Sequence, residues 1–183
     1  LPITDPDVRP YLEPTFYIQS RHPEIQDRAE ELTGGVSDSR QAAAILAGWV
    51  HENLEKTFVT ALPSAREVLR KKKGDCKAHS VLFTALARSR GIPARTVGGL
   101  VQMEDGKFYY HQWAEVFTGR WRPVDPVFGR LPVDATHIKL SEGDPENQIR
   151  LLNLIGDLEI EILPDLPAWR AEPMEKSNEK TEE

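Results

Sequence analysis

Cys76 is the only cysteine in the chain and stands in Gly74-Asp75-Cys76-Lys77-Ala78-His79. A thiol does covalent chemistry only when something takes its proton, and two later blocks offer partners. His111 opens His111-Gln112-Trp113-Ala114-Glu115-Val116, and Asp125 ends Trp121-Arg122-Pro123-Val124-Asp125 before Pro126. Cysteine, histidine and aspartate are the parts of nucleophilic catalysis. A thiolate attacks, an imidazole carries the proton, and a carboxylate fixes the imidazole's tautomer. Taken singly, the cysteine would be a small core hydrophobe, the histidine a packing residue and the aspartate a strand end. Their company is what favours the chemical reading.

The elements that must position them can be read next. After Cys76, residues Ala78, Val81, Leu82, Ala85 and Leu86 fall on one helical stripe. Asp75 is placed to cap the start, Arg88 and Arg90 sit where the dipole favours cations, and Gly91-Ile92-Pro93 stops the helix. Cys76 thus lies on the first turn, where the field of unpaired N–H groups should favour thiolate.

From Ala94 the apolar period changes to two. Strands are expected near 95–103, 107–116 and 120–125, joined by three-residue loops at Glu104-Asp105-Gly106 and Phe117-Thr118-Gly119. A loop at 117–119 pairs Val116 with Arg120 and sets His111 opposite Asp125, with Cβ atoms roughly 4.5–5.5 Å apart. A two-residue Thr118-Gly119 loop would send the two side chains to opposite faces. The first hairpin sets Gly99 opposite His111, leaving room for a helix end or substrate to approach. Val97, Val101, Trp113 and Trp121 share that face, which is apolar enough to pack against the Cys76 helix.

Upstream, residues 1–23 are proline-rich and read as extended chain wrapping the body. Helices follow over Pro23–Leu32 and about Ser39–Glu55, and Ser64-Ala65-Arg66-Glu67 is a capping box opening a short third one. Helices followed by strands predict an α+β fold with an antiparallel sheet. Trp49 reads as core. A short strand at His137–Leu140, a helix over 145–154 and an alternating strand at 158–162 complete the expected elements. Residues 1–37 are read as a segment joining a further domain, 38–163 as the catalytic domain, and 164–183 as a flexible acidic tail.

Composition narrows the function classes. The 29 acidic residues exceed the 23 Lys and Arg, for a formal charge of −6, which argues against broad nucleic-acid binding. No apolar run is long enough to span a bilayer. The basic run Lys71-Lys72-Lys73 reads as a solvated helix end. One cysteine permits no internal disulfide and leaves the compartment undetermined. The chain starts at Leu1 with no signal-peptide pattern and is read as an excised domain or processed product.

With these residues in view, the chain resembles the transglutaminase-like superfamily, in particular its compact bacterial members. The likeness rests on Gly74-Asp75-Cys76 with Leu82 through Arg95, on His111 through Val116, and on Trp121 through Pro126, and it extends over about Gln41–Leu140. The resemblance implies a papain-like core whose antiparallel sheet packs against a central cysteine-bearing helix. It implies Cys76 as nucleophile, His111 as base and Asp125 as orienting acid in acyl transfer from a peptide or other amide through a thioester. No cofactor or metal is implied, and calcium dependence does not carry over because the flanking domains of animal cross-linking enzymes are missing. Relatives often place a polar aromatic after the Trp49-type helix to help bind the oxyanion. Here Asn53-Leu54-Glu55-Lys56-Thr57-Phe58 has none, leaving the Cys76 N–H as the one identified donor.

Hydrolysis is favoured over cross-linking because nothing visible would exclude water. A catalytically silent binding module on the same fold is the competing reading. His79, one turn past Cys76, reads as structural; His22, His51 and His137 read as surface or packing; Gln112 reads as a solvated strand residue. A metal cluster of Cys76, His79, His111 and Asp125 has suitable ligand types but lacks the paired-ligand spacing of a zinc site.

Overall fold

The structure is a computed structural model that describes residues 6–144 together with Leu158 and Ile160. The helix expected over 145–154, most of the strand over 158–162 and the acidic tail lie outside the described residues. A short 3-10 turn, Arg9–Leu12, interrupts the extended N-terminal segment. Helices α1 (Pro23–Thr33), α2 (Ser39–Asn53), α3 (Ala65–Lys71) and α4 (Cys76–Ser89) precede the main strands. Short β1 (Glu55–Lys56) and β2 (Lys73–Gly74) pair in parallel, a contact between distant segments that no local pattern announced. Strands β3 (Ala94–Gln102), β4 (Phe108–Phe117), β5 (Trp121–Val124) and β6 (His137–Gly143) form an antiparallel sheet in the order β5-β4-β3-β6. The α+β class and the central cysteine-bearing helix agree with the sequence. No helix among the described residues is long and apolar enough to cross a membrane.

Side-chain caps set the helix starts. His22 Nδ1 accepts from Glu24 N–H, Asp38 from Gln41 N–H, and Ser64 from Glu67 N–H at 3.4 Å, the capping box read above. Glu24 then binds Arg66 and Arg70, tying α1 to α3. Lys71, Lys72 and Lys73 are exposed, as a solvated helix end should be. Helix α4 is more than amphipathic, for every residue from Ala78 to Arg88 is buried. Helices α1, α2 and α3 and strands β3 and β4 all pack on it. Each fully buried Leu82, Leu86 or Phe83 contributes about 1.5–3 kcal/mol. Arg88 points inward rather than toward solvent. Its guanidinium donates to the carbonyls of Ala94 (2.8 Å) and Glu13 (2.6 Å) and to Asp144 (2.8 Å), joining the end of α4 to the N-terminal segment and to the end of β6. Trp49 is only partly buried, with Arg28 over its ring.

The sheet corrects one expectation about packing. The core around α4 takes Ala94, Ala114, Val116 and Val124 from the sheet. By the period of two these lie on the face opposite Val97, Val101, His111 and Trp113. Small side chains at 94 and 114 let the helix sit close, whereas the bulky face packs elsewhere. Trp121 stacks edge-on with Tyr11 and Phe117, and Arg95 lies 4.0 Å above its ring. Arg95 also pairs with Glu115 (2.8 Å) and Glu142 (2.5 Å).

The register of the second hairpin is also displaced. Phe117 stays in β4 and pairs with Trp121, so the loop is Thr118-Gly119-Arg120. Contact between the Phe117 and Trp121 rings, 5.6 Å between centroids, and the bond from Arg122 Nε to Thr118 Oγ1 hold that register. Continuing it puts Asp125 opposite Trp113 and diagonal to His111. The displacement is even, so both side chains remain on one face.

The first hairpin has the expected pairing, with Gly99 opposite His111. The space above Gly99 is not open, however. A Cβ there would lie 2.0 Å from the Ile138 carbonyl oxygen of β6 and 2.8 Å from the Trp113 ring. Gly48, inside α2, has no atom of the described residues within 4 Å of where a Cβ would lie. Gly99→Ala should therefore destabilise by about 1–3 kcal/mol or more. Gly48→Ala should stabilise by about 0.5–1 kcal/mol, because it removes helix-glycine entropy. Urea denaturation of both variants checks the pair; a tolerated Gly99→Ala would contradict the packing described.

Candidate active site

The entry to α4 is fixed before the helix begins. Thr57 N–H donates to the Gly74 carbonyl at 3.1 Å, next to the β1–β2 pairing. A side chain at Gly74 would collide with Ala78, since a Cβ would sit 2.3 Å from that residue's own Cβ. Asp75 then caps the helix, its Oδ1 accepting from the N–H groups of Lys77 (3.0 Å) and Ala78 (3.3 Å) while Oδ2 pairs with Lys77 Nζ (3.1 Å).

That cap changes the expectation for the sulfur. Burial pushes the Cys76 thiol up to about 11, and the charge on Asp75 pushes the same way. The Gln112 N–H, the Lys77 charge and the Lys77 N–H oppose them without prevailing. The capping carboxylate occupies the helix-start amides and brings its own negative charge, so the helix alone does not produce a thiolate.

The sulfur reaches the sheet at an edge rather than a face. Phe117 N–H donates to Pro93 O and Met103 N–H to Lys107 O, so odd residues of β4 bond toward β3 and even ones face outward. Ala114 and Val116 pair there with Val124 and Arg122. Gln112 would next meet residue 126, a proline without an N–H, and the chain instead turns away at Asp125. The Gln112 backbone is left to α4, where its carbonyl accepts from Ser80 Oγ at 3.0 Å and its N–H stabilises the Cys76 sulfur. Gln112 is buried, not solvated, and its side-chain amide nitrogen has no partner among the described residues. His79 is a buried packing residue whose Nδ1 meets the Asp75 carbonyl at 2.8 Å.

His111 projects from the neighbouring position of β4, and its Nε2 lies 2.7 Å from Asp125 Oδ2. A carboxylate accepts only, so Nε2 carries the proton and Nδ1 is the basic nitrogen. Trp113 stacks on the His111 ring at 6.0 Å and Phe128 tilts against it at 5.3 Å. Asp125 has no exposed surface. Its Oδ1 accepts from the N–H groups of Val127 (2.7 Å) and Phe128 (3.2 Å) at the start of a tight loop closed by reciprocal Asp125–Arg130 backbone bonds. His51 Nδ1 donates to the Val127 carbonyl at 2.7 Å and pins the same loop to α2.

One residue in this cluster was not anticipated. His137, read as surface or packing, has a buried side chain and brings Nε2 to 2.9 Å from the same Asp125 Oδ2. Strand β6 runs beyond Leu140 to Gly143 and pairs with β3, which sets His137 opposite Val101 on the face of His111. Nε2 atoms and a carboxylate oxygen from His111, His137 and Asp125 lie within 4.8 Å of one another, a donor set suited to a borderline divalent ion. Their N–O separations are hydrogen-bond lengths, and the three groups satisfy one another as a hydrogen-bonded chain.

Cys76, Tyr110 and His111 line one cavity of about 810 Å³, together with Val101 to Asp105, Tyr109, Val127, Phe128 and Arg130. Asp125 lies behind His111. Burial and the charges of Cys76 and Asp75 push Tyr110 up to about 12, so its phenol is a neutral donor at neutral pH. Sequence reasoning overlooked Tyr110 too; its one signal was adjacency to His111.

Asp125 also governs acid stability. Burial would raise its pKa, but the bonds from His111 and His137, the His111 charge and the Val127 N–H hold it well below the usual carboxylate range. Its folded pKa is depressed, so its contribution is complete above about pH 4 and is lost as pH falls through the folded value. Between pH 7 and pH 3 the protein should lose on the order of 1 kcal/mol more stability than Asp125→Asn does. Urea unfolding of both proteins at the two pH values checks this, and equal losses would contradict it.

A family model described as the Transglutaminase-like superfamily matches residues 26–126, a span that contains Cys76, His111 and Asp125. The chain is similar to a candidate cysteine protease from Cytophaga hutchinsonii, at 25% identity and a TM-score of 0.64, over 76% of this chain and 47% of that one. It is similar to the periplasmic domain of TgpA from Pseudomonas aeruginosa, at 21% identity and a TM-score of 0.54, over 68% of this chain and 48% of that one. The ethylmercury-bound form of that domain gives 24% identity and a TM-score of 0.52, over 68% and 50%. The chain thus spans about half the length of these solved structures. None of the curated proteins compared with it matches. With the family match extending over more than half of its residues, the chain belongs to the transglutaminase-like superfamily.

Proposed function

We propose that the chain is a cysteine-dependent acyl-transfer domain acting on a peptide or other amide, with Cys76 as nucleophile, His111 as base and Asp125 as orienting acid. One observation carries the reading. Cys76 and His111 line the same cavity, and Asp125 holds His111 by Nε2, which leaves Nδ1 to exchange a proton with the sulfur.

In the first half-reaction the Cys76 proton moves to His111 Nδ1 and the sulfur attacks the amide carbon. The imidazolium formed is steadied by the Asp125 carboxylate. In this reading the Cys76 backbone N–H is the oxyanion donor, and Tyr110, in the same cavity wall, adds a neutral hydroxyl donor. As the C–N bond breaks, the imidazolium proton goes to the leaving amine and a thioester remains. In the second half-reaction His111 takes a proton from water, the hydroxide attacks the thioester, and the acid leaves as the thiol is restored. Glu104, Asp105, Tyr109 and Arg130 line the cavity and are exposed, so water reaches the thioester and hydrolysis is favoured over transfer to a second amine.

The high thiol pKa favours a second reading, a binding module that keeps the fold without turnover. Acid-quenched mass spectrometry with a library of peptide amides separates the two. The enzyme reading predicts a hydroxylamine-labile acyl adduct on the Cys76 peptide, lost in His111→Ala. The module reading predicts no adduct, with iodoacetamide labelling whose midpoint stays near the burial-imposed alkaline value with or without His111.

A further inference from the structure

We propose that His137 is a positioning residue of this site, holding the Asp125 carboxylate in the orientation that serves His111. The inference rests on the reading of Cys76, His111 and Asp125 as a catalytic set and adds a member to it.

A carboxylate offers about four lone-pair positions. Asp125 has all of them filled: Val127 and Phe128 N–H on Oδ1, and His111 Nε2 at 2.7 Å and His137 Nε2 at 2.9 Å on Oδ2. The backbone amides fix one oxygen. The other would have a single donor if His137 were removed, and nothing else in the described residues bonds to Oδ2. The carboxylate could then swing with His111 rather than hold it.

His137 is itself held at both ring nitrogens. With Nε2 donating to Asp125, Nδ1 can accept from the Thr136 hydroxyl, 3.1 Å away, beside Asp134 Oδ1 at 3.3 Å. Its ring meets Trp113 edge-on at 5.2 Å and Phe128 at 6.3 Å, the two aromatics that also contact His111. Donor and base are therefore enclosed by the same walls, and a shift of His137 is passed to His111 through Trp113 as well as through Asp125. His137 does not line the sulfur's cavity; it reaches His111 through their shared carboxylate and through an edge-on ring contact, 5.8 Å between centroids.

Cys76 is the only thiol, so iodoacetamide alkylation of the full chain reports this site alone. Rates across pH are compared for the unsubstituted protein, His111→Ala, His137→Leu and His137→Gln. Glutamine keeps an N–H donor near the position of Nε2; leucine does not. Partners that orient a functional histidine are worth about 10–100-fold at metal sites. His137→Leu is expected to slow alkylation at pH 7 by about tenfold and move the profile in the direction of His111→Ala, with His137→Gln restoring most of the loss. A merely structural histidine would not move the pH profile or be rescued by its donor. If His111→Ala shifts the profile and His137→Leu does not, the positioning role is overturned while the catalytic set stands. If His111→Ala changes nothing, both fall. Should His137→Leu fail to fold, long-range ¹H–¹⁵N spectra of the unsubstituted protein decide: both His111 and His137 must carry a proton on Nε2, and a bare His137 Nε2 overturns the proposal.

Discussion

A buried carboxylate must be given donors or it will not stay charged, and Asp125 is the point at which this structure meets that demand. The effective cost of an unpaired buried ion is several kcal/mol. Here the donors come from three places far apart in the chain: His111 on β4, the Val127–Phe128 amides after β5, and His137 on β6. Satisfying one side chain thus brings together the strand that carries His111, the loop that supplies Phe128, and the outer strand. Their packing around Trp113 follows from that convergence.

A second constraint sets where the sulfur lies. Pro126 has no N–H to extend the β4–β5 ladder, and Gln112 turns its backbone to α4 instead, bonding Ser80 and facing Cys76. The thiol therefore meets the sheet at an edge. The cap that starts its helix works against its ionisation. An aspartate cap contributes about 1 kcal/mol to helix stability, yet Asp75 also raises the thiol's pKa. Stability at the helix start is gained at the expense of intrinsic thiol acidity.

Much of this was legible in the sequence because it is local. Periodicity fixed α4, and the glycine loop of the first hairpin gave the pairing of Gly99 with His111. Asp125 fell on the face of His111 even though the loop lies one residue later than expected, because an even displacement preserves the face. What local pattern could not show was how distant elements meet. His137 has no signature of its own; its place depends on β6 crossing to pair with β3 around a bulge at Gly98/Gly99. The choice of sheet face against α4 turned on side-chain size at Ala94 and Ala114, which total apolarity does not report. The room at Gly99 was real as a missing side chain, but Trp113 and Ile138 fill it.

In the proposed reaction His111, not the helix start, takes the Cys76 proton. Direct titration of the thiolate by its ultraviolet absorbance, in the unsubstituted protein and in His111→Ala, tests it without any substrate. The thiolate absorbance is expected to rise at lower pH in the unsubstituted protein than in His111→Ala, where burial and the Asp75 charge act on the thiol without the imidazole. Identical curves for the two proteins, both rising only at the alkaline end, would contradict it.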